Sequence, residues 1–306
     1  MRLYTHPACL QHDPGPGHVE QPARLRAVLQ ALDRDHFSAI DRVEAPRVTH
    51  EQLLRVHDEH HIARILSSNP AEGDTFQLDP DTVMSSGSVG AALHAAGATV
   101  AAVDAVLGGA ARHAFCAVRP PGHHATADHA MGFCLFNNIA VAAAHALAAH
   151  GLQRVAIADF DVHHGNGTQA IFEHEPRVLF VSSHQSPLYP GTGRENEHGV
   201  GNIVNGTLSP GAGSHEFRNL WNDVLLPRLR AFRPQLVLIS AGFDAHADDP
   251  LADIRLGRDD YAWITERLVV LARDYADGRI VSSLEGGYNL AALASSARAH
   301  VSALME

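Results

Sequence analysis

Cysteine is scarce: Cys9, Cys116 and Cys134 are the only three in 306 residues, widely spaced and without a CxxC pair. An odd, scattered set builds neither a disulfide framework nor a cysteine zinc site, and it suits a reducing compartment. Long apolar runs are also missing. Met1-Arg2-Leu3-Tyr4-Thr5-His6-Pro7 holds no apolar core for a signal peptide. The most apolar stretch, Ile139 to Ala149, is short, alanine-rich and interrupted by His145, so no membrane span is expected. Positive charge is in deficit, with 23 Lys+Arg against 34 Asp+Glu and a net charge of −11. That balance argues against nucleic acid or an anionic membrane as a partner through whole-chain charge. No Pro/Gly/Ser linker, repeat or shift of composition divides the chain, and 45% hydrophobic with 19% charged residues excludes disorder, collagen and coiled coil. One cytoplasmic domain, residues 1–306, is the expectation.

What is abundant is histidine: 23 residues, as many as Lys and Arg together. The count alone does not separate metal binding from acid–base chemistry or composition bias. Apolar runs of strand length (Ala114–Val118, Arg154–Phe160, Val178–Ser182, Leu236–Ser240, Ile280–Leu284) alternate with helical stretches. The helices are expected at Pro22–Leu32, Glu51–Leu66, Ser88–Leu107, Asn138–His150, Gly167–Glu173, His215–Phe232, Asp259–Tyr275 and Leu290–Met305. Continuous rather than alternating apolar strands imply a sheet buried on both faces, hence a three-layer α/β fold with a mostly parallel sheet. The Gly-, Pro- and Asn-rich stretch from Gln185 to Ser214 reads as a long surface loop.

Each of those strands runs into a polar cluster. The clusters are Arg119–His124 (RPPGHH), Asp161–Gly167 (DVHHGNG), Ser183-His184, Ala241–Asp244 (AGFD) and Glu285–Tyr288 (EGGY). Ligand sites in open α/β sheets lie beyond the carboxyl ends of the strands, so these turns are expected to converge.

Asp161 and His163, two residues apart on extended backbone, could leave the same face and bind one metal, with Asp244 as third ligand. Such a set suits Zn²⁺ with an open position for water. Taken alone, Asp161 could equally cap the next helix and His163 line a turn. The adjacent His123 and His124 could take a proton from water and return it to a leaving amine, though a surface histidine pair is the plain alternative. Asp159 and Asn166 are available to fix their tautomers, and a carboxylate partner should leave its ring more basic than an amide does. Tyr288, after two glycines, could donate its hydroxyl to a developing oxyanion. The remaining histidines, such as His60, His61, His145 and His150, read as surface or packing residues, with His164 and His184 close to the turns.

Together the strings RPPGHH, Gly132–Asn138 (GFCLFNN), Asp159–Thr168 (DFDVHHGNGT), AGFD and EGGY resemble the histone deacetylase family, in its class II and bacterial branch, within the arginase–deacetylase fold. The likeness covers nearly the whole chain. It implies a zinc-dependent deacetylase with Asp161, His163 and Asp244 as zinc ligands. His123 would pair with Asp159 and His124 with Asn166, His124 being the general base and His123 the electrostatic or acid partner. Tyr288 would polarise the acyl carbonyl. Phe133 and Tyr189 would wall an acyl-lysine tunnel beside Gly132 and Gly287, with Phe more usual at position 189. Asp79 would hold the substrate backbone. A K⁺ site is implied at Asp159, Asp161, His163, Ser182 and Ser183.

His18-Val19-Glu20 stands where HPE is common in the family. Relatives that hydrolyse acetylpolyamines carry Glu after an Asp-Pro pair; here Asp249-Pro250 is followed by Leu251, an apolar gate that favours acyl-lysine in proteins or peptides over a small acetylated amine. The acidic charge favours cationic amines mildly. A dimanganese ureohydrolase of the same fold needs a further carboxylate where this chain has Gly165, and an idle acyl-lysine binder would have lost a ligand or the tyrosine, which this chain has not.

Overall fold

The computed structural model describes residues 1–306. Its first half contains β1 (Arg2–Thr5), α1 (Pro22–Ala31), β2 (Asp41–Glu44), α2 (His50–Leu53), α3 (Glu59–Ser67), β3 (Thr75–Gln77), β4 (Val83–Ser85), α4 (Ser88–Leu107), β5 (His113–Cys116) and α5 (Asn138–His150). The second half contains β6 (Val155–Asp159), α6 (Asn166–Phe172), β7 (Val178–Gln185), β8 (Ile203–Leu208), α7 (Ser214–Leu220), α8 (Leu226–Phe232), β9 (Leu236–Ala241), α9 (Arg258–Tyr275), β10 (Ile280–Leu284) and α10 (Leu290–Met305). Eight strands form one sheet in the order β2-β1-β5-β10-β9-β6-β7-β8, and every neighbouring pair is parallel. β3 and β4 make a separate antiparallel hairpin.

Strands buried on both faces cannot alternate apolar and polar residues, and β6, β9 and β10 are buried along their whole lengths. Helix layers enclose the sheet, α4 pairing with α5 and α9 with α10. α4 is long and apolar enough to cross a bilayer by composition, but 72% of that stretch is buried inside the protein, as befits a core helix. It, rather than Ile139–Ala149, is the longest apolar helix.

The five strands expected from the sequence are the contiguous set β5-β10-β9-β6-β7. Their carboxyl ends therefore lie side by side, and the chain order reverses within the set. That is where a crevice opens in a doubly wound sheet.

The structure departs from expectation at both edges of the sheet and in two of the helices. β1 and β2 extend one edge of the sheet, and β8, inside the stretch expected to be loop, extends the other. The helix expected over Glu51–Leu66 is broken between α2 and α3. There the Asp58 amide donates to Ala127 O at 2.8 Å, and His57 bridges Thr126 O (2.9 Å) and the Asn137 amide (2.9 Å). The break ties this segment to the loop that follows His124. The helix expected over His215–Phe232 contains a π-turn at Trp221–Leu225. Pro227 has no N–H to offer and its ring crowds the carbonyl four residues earlier, and the wider turn relieves both.

Candidate active site

β6 ends at Asp159, and the bend that follows it carries Asp161 and His163 into the crevice. From the end of β9, Asp244 meets them: His163 Nδ1 lies 3.1 Å from Asp161 Oδ1 and 3.1 Å from Asp244 Oδ2. All three residues are buried. Backbone amides hold the carboxylates on their far sides, Gly286 N donating to Asp161 Oδ2 (2.8 Å) and Val162 N to Asp244 Oδ1 (2.9 Å). Glycine is required at two neighbouring positions. A Cβ on Gly242 would stand 2.0 Å from Asp161 Oδ2, and one on Gly286 would stand 2.0 Å from Asp244 Oδ2. Burial opposes charge on His163, but the two carboxylates outweigh it and raise its pKa to about 10. Two buried carboxylates around one imidazole call for a cation, and the donor set fits a small divalent ion.

A second group, Asp104, His145 and His150, also brings three ligand atoms together. Arg55 closes it. The Arg55 guanidinium, which can only donate, is 2.7 Å from His145 Nδ1, so the ring's proton sits on Nε2 and is donated to Asp104 Oδ1 at 2.7 Å. The nitrogen a metal would need is thereby occupied.

The paired histidines follow β5. His123 Nδ1 is 3.0 Å from Asp159 Oδ2, and His124 Nδ1 is 2.8 Å from Asn166 Oδ1 at the start of α6. The two ring centres are 4.0 Å apart. Their protonation states diverge as their partners dictate. Burial disfavours charge on both rings; Asp159 and Asp161 overcome it at His123 and raise its pKa to about 10. At His124, burial and then the cationic His123 and His163 hold the pKa well below the ordinary value. Glu285, whose pKa burial raises to about 7, receives the amides of Gly122 (2.6 Å) and His123 (3.2 Å) and fixes the turn that presents the pair.

Above these groups lies a cavity of about 210 Å³ lined by Asp81, His124, Gly132, Phe133, His163, Leu188, Tyr189, Leu251 and Tyr288. Phe133 and Tyr189 form walls as expected. The Phe133 ring stands edge-on to Tyr288 with centres 5.8 Å apart, and Tyr189 stands perpendicular to His124 at 5.2 Å. Gly132 and Phe133 take consecutive positive φ values of 56° and 68°. A Cβ on Gly132 would strike the His124 ring at 2.3 Å, so the backbone must pass there bare. Gly287, with φ 119°, turns the chain into Tyr288, whose hydroxyl pKa burial raises well above the ordinary value.

Asp79, expected near the substrate backbone, is not among the residues that line the cavity. Its Oδ1 accepts the amides of Asp81 (2.9 Å) and Thr82 (3.1 Å), shaping the hairpin turn, while Asp81 faces the cavity. Asp81 and Thr82 in turn receive the amides of Gly132 and Phe133 at 3.0 and 3.1 Å. The two-residue shift arises because an Asx turn lets the first carboxylate serve its own backbone. Of the residues implied for K⁺, Asp159, Asp161 and His163 surround the end of β6. The Ser182 hydroxyl lies 2.9 Å from His184 Nδ1, and the Ser183 hydroxyl accepts from Trp221 at 3.0 Å. His164 and His184 are buried against each other and stay neutral, with pKa values that burial lowers to about 3 and about 4.

Arg24 and Leu188 were assigned no role from the sequence, though each lies in a stretch singled out there, Arg24 in the family-like Gly17–Leu25 and Leu188 in the Gln185–Ser214 loop. Arg24 is fully buried, donates to Gly287 O at 2.6 Å and to Glu285 O at 2.5 Å, and pairs with Glu20, which also holds Arg119. Glu20 and Arg119 stood within noted motifs, but the buried network that joins them through Arg24 was not read from the sequence.

The histone deacetylase domain pattern matches residues 18–304. The chain is 42% identical to a histone deacetylase-like amidohydrolase of Pseudomonas aeruginosa, across 89% of this chain and 73% of that protein. It is 38% identical to a probable deacetylase of Archaeoglobus fulgidus, across 94% and 81%. It is also 36% identical to a type-2 histone deacetylase 2 of Dictyostelium discoideum, over 98% of this chain, yet spans only 20% of that protein's length. Among solved structures, the HD domain of HDA15 superposes with a TM-score of 0.92 at 37% identity, over 98% of this chain and 87% of that one. The buried Asp-His-Asp group, the two differently partnered histidines and the parallel sheet that carries them thus sit on a pattern shared from end to end, and the chain belongs to the histone deacetylase family.

Proposed function

We propose that residues 1–306 act as a zinc-dependent amidohydrolase that removes acetyl or longer acyl groups from lysine side chains of proteins or peptides. The observation that carries this reading is the asymmetric histidine pair beside a buried Asp-His-Asp group at the foot of a largely apolar cavity of about 210 Å³. Asp161, His163 and Asp244 would hold the zinc, which when bound supplies a Lewis acid that acidifies water and polarises a carbonyl. Around it the chain's own groups divide the work. His124, neutral and oriented by Asn166, accepts the proton of the attacking water at Nε2. His123, kept cationic by Asp159, stabilises the negative charge that develops on the oxygens of the reacting acyl group. The Tyr288 hydroxyl donates to the developing oxyanion. The proton gathered by His124 then leaves with the amine. K⁺ held near Asp159, Asp161, His163, Ser182 and Ser183 would steady the loop that bears the zinc ligands.

Phe133, Tyr189 and Leu251 suit the methylene chain of lysine, and Asp81 rather than Asp79 stands where a substrate's backbone amides would be met. All 23 of the Lys+Arg residues here are arginine, so residues 1–306 offer no lysine of their own as a substrate. The buried, unpaired cysteines suit a reducing, cytoplasmic setting. A second reading, an acetylpolyamine or other small-amide deacetylase, is favoured by the Asp81 carboxylate at the cavity and by the net charge of −11, and opposed by Leu251.

One panel tests these readings: metal content of the purified protein, then kcat/KM for acetyl-lysine peptides, longer acyl-lysine peptides and acetylputrescine, with Tyr288→Phe as control. Zinc near one per chain and preference for an acyl-lysine peptide are expected. A tenfold preference for acetylputrescine selects the second reading, and no hydrolysis by zinc-loaded protein rejects both.

A further inference from the structure

Tyr288 follows two glycines, so the backbone that aims its hydroxyl has little stiffness of its own. Something must hold it. From the loop between β9 and α9, the buried Asp249 reaches this segment, and its Oδ2 accepts the amides of Tyr288 (2.7 Å) and Asn289 (3.3 Å). The other oxygen, Oδ1, accepts the amide of Leu251 at 3.1 Å. Leu251 and Tyr288 line the same cavity from different loops. One carboxylate therefore fixes two tunnel residues that are distant in sequence.

Resting on the reading of Tyr288 as oxyanion donor, we propose that Asp249 is a positioning residue that locks Tyr288 and the gate residue Leu251 into one arrangement.

The neighbours agree with that role. Asn289 Oδ1 accepts the amides of Ala291 and Ala292, both at 3.1 Å, and caps α10, while its Nδ2 donates to Asp248 O at 3.1 Å. The segment 288–289 is thus stitched to the loop bearing Asp249 on one side and to α10 on the other. A helix start is a rigid reference, whereas a Gly-Gly pair is not. The Asp249 bonds carry that rigidity back to Tyr288. Three N–H donors converge on two oxygens, a demand that only a carboxylate meets. An asparagine offers a single acceptor oxygen and turns an NH₂ toward an N–H, so at least one arm opens.

This differs from plain structural support in a way kinetics can read. If Asp249 acts through Tyr288, removing the tyrosine hydroxyl removes the reason for the clamp, and the two substitutions should not add. The experiment uses the full zinc-loaded chain and compares wild type, Asp249→Asn, Tyr288→Phe and the double variant on an acetyl-lysine peptide. The expected result is a loss of about 10–100-fold in kcat for Asp249→Asn with KM within about threefold, and a loss under about twofold for the same change in the Tyr288→Phe background. Equal losses in both backgrounds would overturn the proposal.

The Leu251 arm has its own signature. The kcat/KM ratio of acetyl- to butyryl-lysine peptide should shift in Asp249→Asn beyond its shift in Tyr288→Phe, and an unchanged ratio removes that half of the proposal. A readout independent of catalysis is amide hydrogen exchange across Gly286–Ala291 in metal-free protein, which should accelerate at least about tenfold in Asp249→Asn. Unaltered exchange refutes the clamp. Should the wild type hydrolyse no acyl amide, the functional reading falls while exchange still decides the clamp. If Asp249→Asn does not fold, Asp249→Ser, which keeps one acceptor, carries the same comparisons.

Discussion

The Arg24 guanidinium carbon lies 4.8 Å from the centre of the Tyr288 ring, while its Nε binds the Gly287 carbonyl beside that same residue. Arg24→Lys keeps the charge that Glu20 needs but cannot donate to two carbonyls from a planar fork. A kcat loss of about tenfold with metal content unchanged is expected from steady-state kinetics. Arg24→Ala leaves buried Glu20 short of one partner and should cost about 3–5 kcal/mol in denaturant unfolding.

Changing the partner of His124 should move the acid limb of activity. In the native site an amide faces this ring, whose pKa lies well below the ordinary value chiefly through burial, then through the cationic His123 beside it. A base must be unprotonated, so activity falls as pH drops through its pKa. Asn166→Asp places a carboxylate there, raises that pKa, and should shift the acid limb of the kcat profile to higher pH. A profile that stays in place would show that His124 is not the base.

The space for metal is kept by glycine. Gly286→Ala would drive a methyl into Asp244 and Asp161, and Gly242→Ala into Asp161. Either variant should lose bound zinc, measured by atomic absorption. On the proposed function, zinc should raise the melting temperature of the wild type by binding the folded state, and that rise should vanish in both variants.

Acid should unfold this protein by way of its core histidines. His57 and His300 are buried with pKa values lowered to about 3, by burial first in both cases. Below an unfolded pKa near 6.5 the unfolded chain binds protons that these folded rings refuse, so stability falls as pH drops from about 6.5 toward 3. Each ring contributes up to about 1.4 kcal/mol per pH unit across that window. The raised His123 and His163 do not oppose the trend, because their contribution is already complete below the unfolded pKa. His300→Gln, which can still reach Thr265 and Ser282, should flatten the slope measured by urea unfolding.

Much of the site was legible because its residues lie at strand ends, and parallel strands announce themselves as uninterrupted apolar runs. Asp161, His163, Asp244, the histidine pair and Tyr288 each follow such a run directly. What stayed hidden acts across sequence. β2 reads Asp-Arg-Val-Glu and is largely exposed, so it has no apolar signature, and β8 contains Asn205 and Gly206 within a stretch rich in turn residues. That Asp81 rather than Asp79 lines the cavity was not legible, because which of two nearby carboxylates serves its own backbone turn is settled only by the fold. Arg24 lies 263 residues from the carbonyl it holds, a separation that periodicity does not report.

All three cysteines are free and buried, and burial pushes their thiols up. The folded protein is therefore a blank surface for thiol chemistry. A cysteine placed at the exposed Phe76, on the hairpin that carries Asp81 toward the cavity, would be the sole thiol a maleimide reaches. A dye attached there would report tunnel occupancy without removal of any native cysteine.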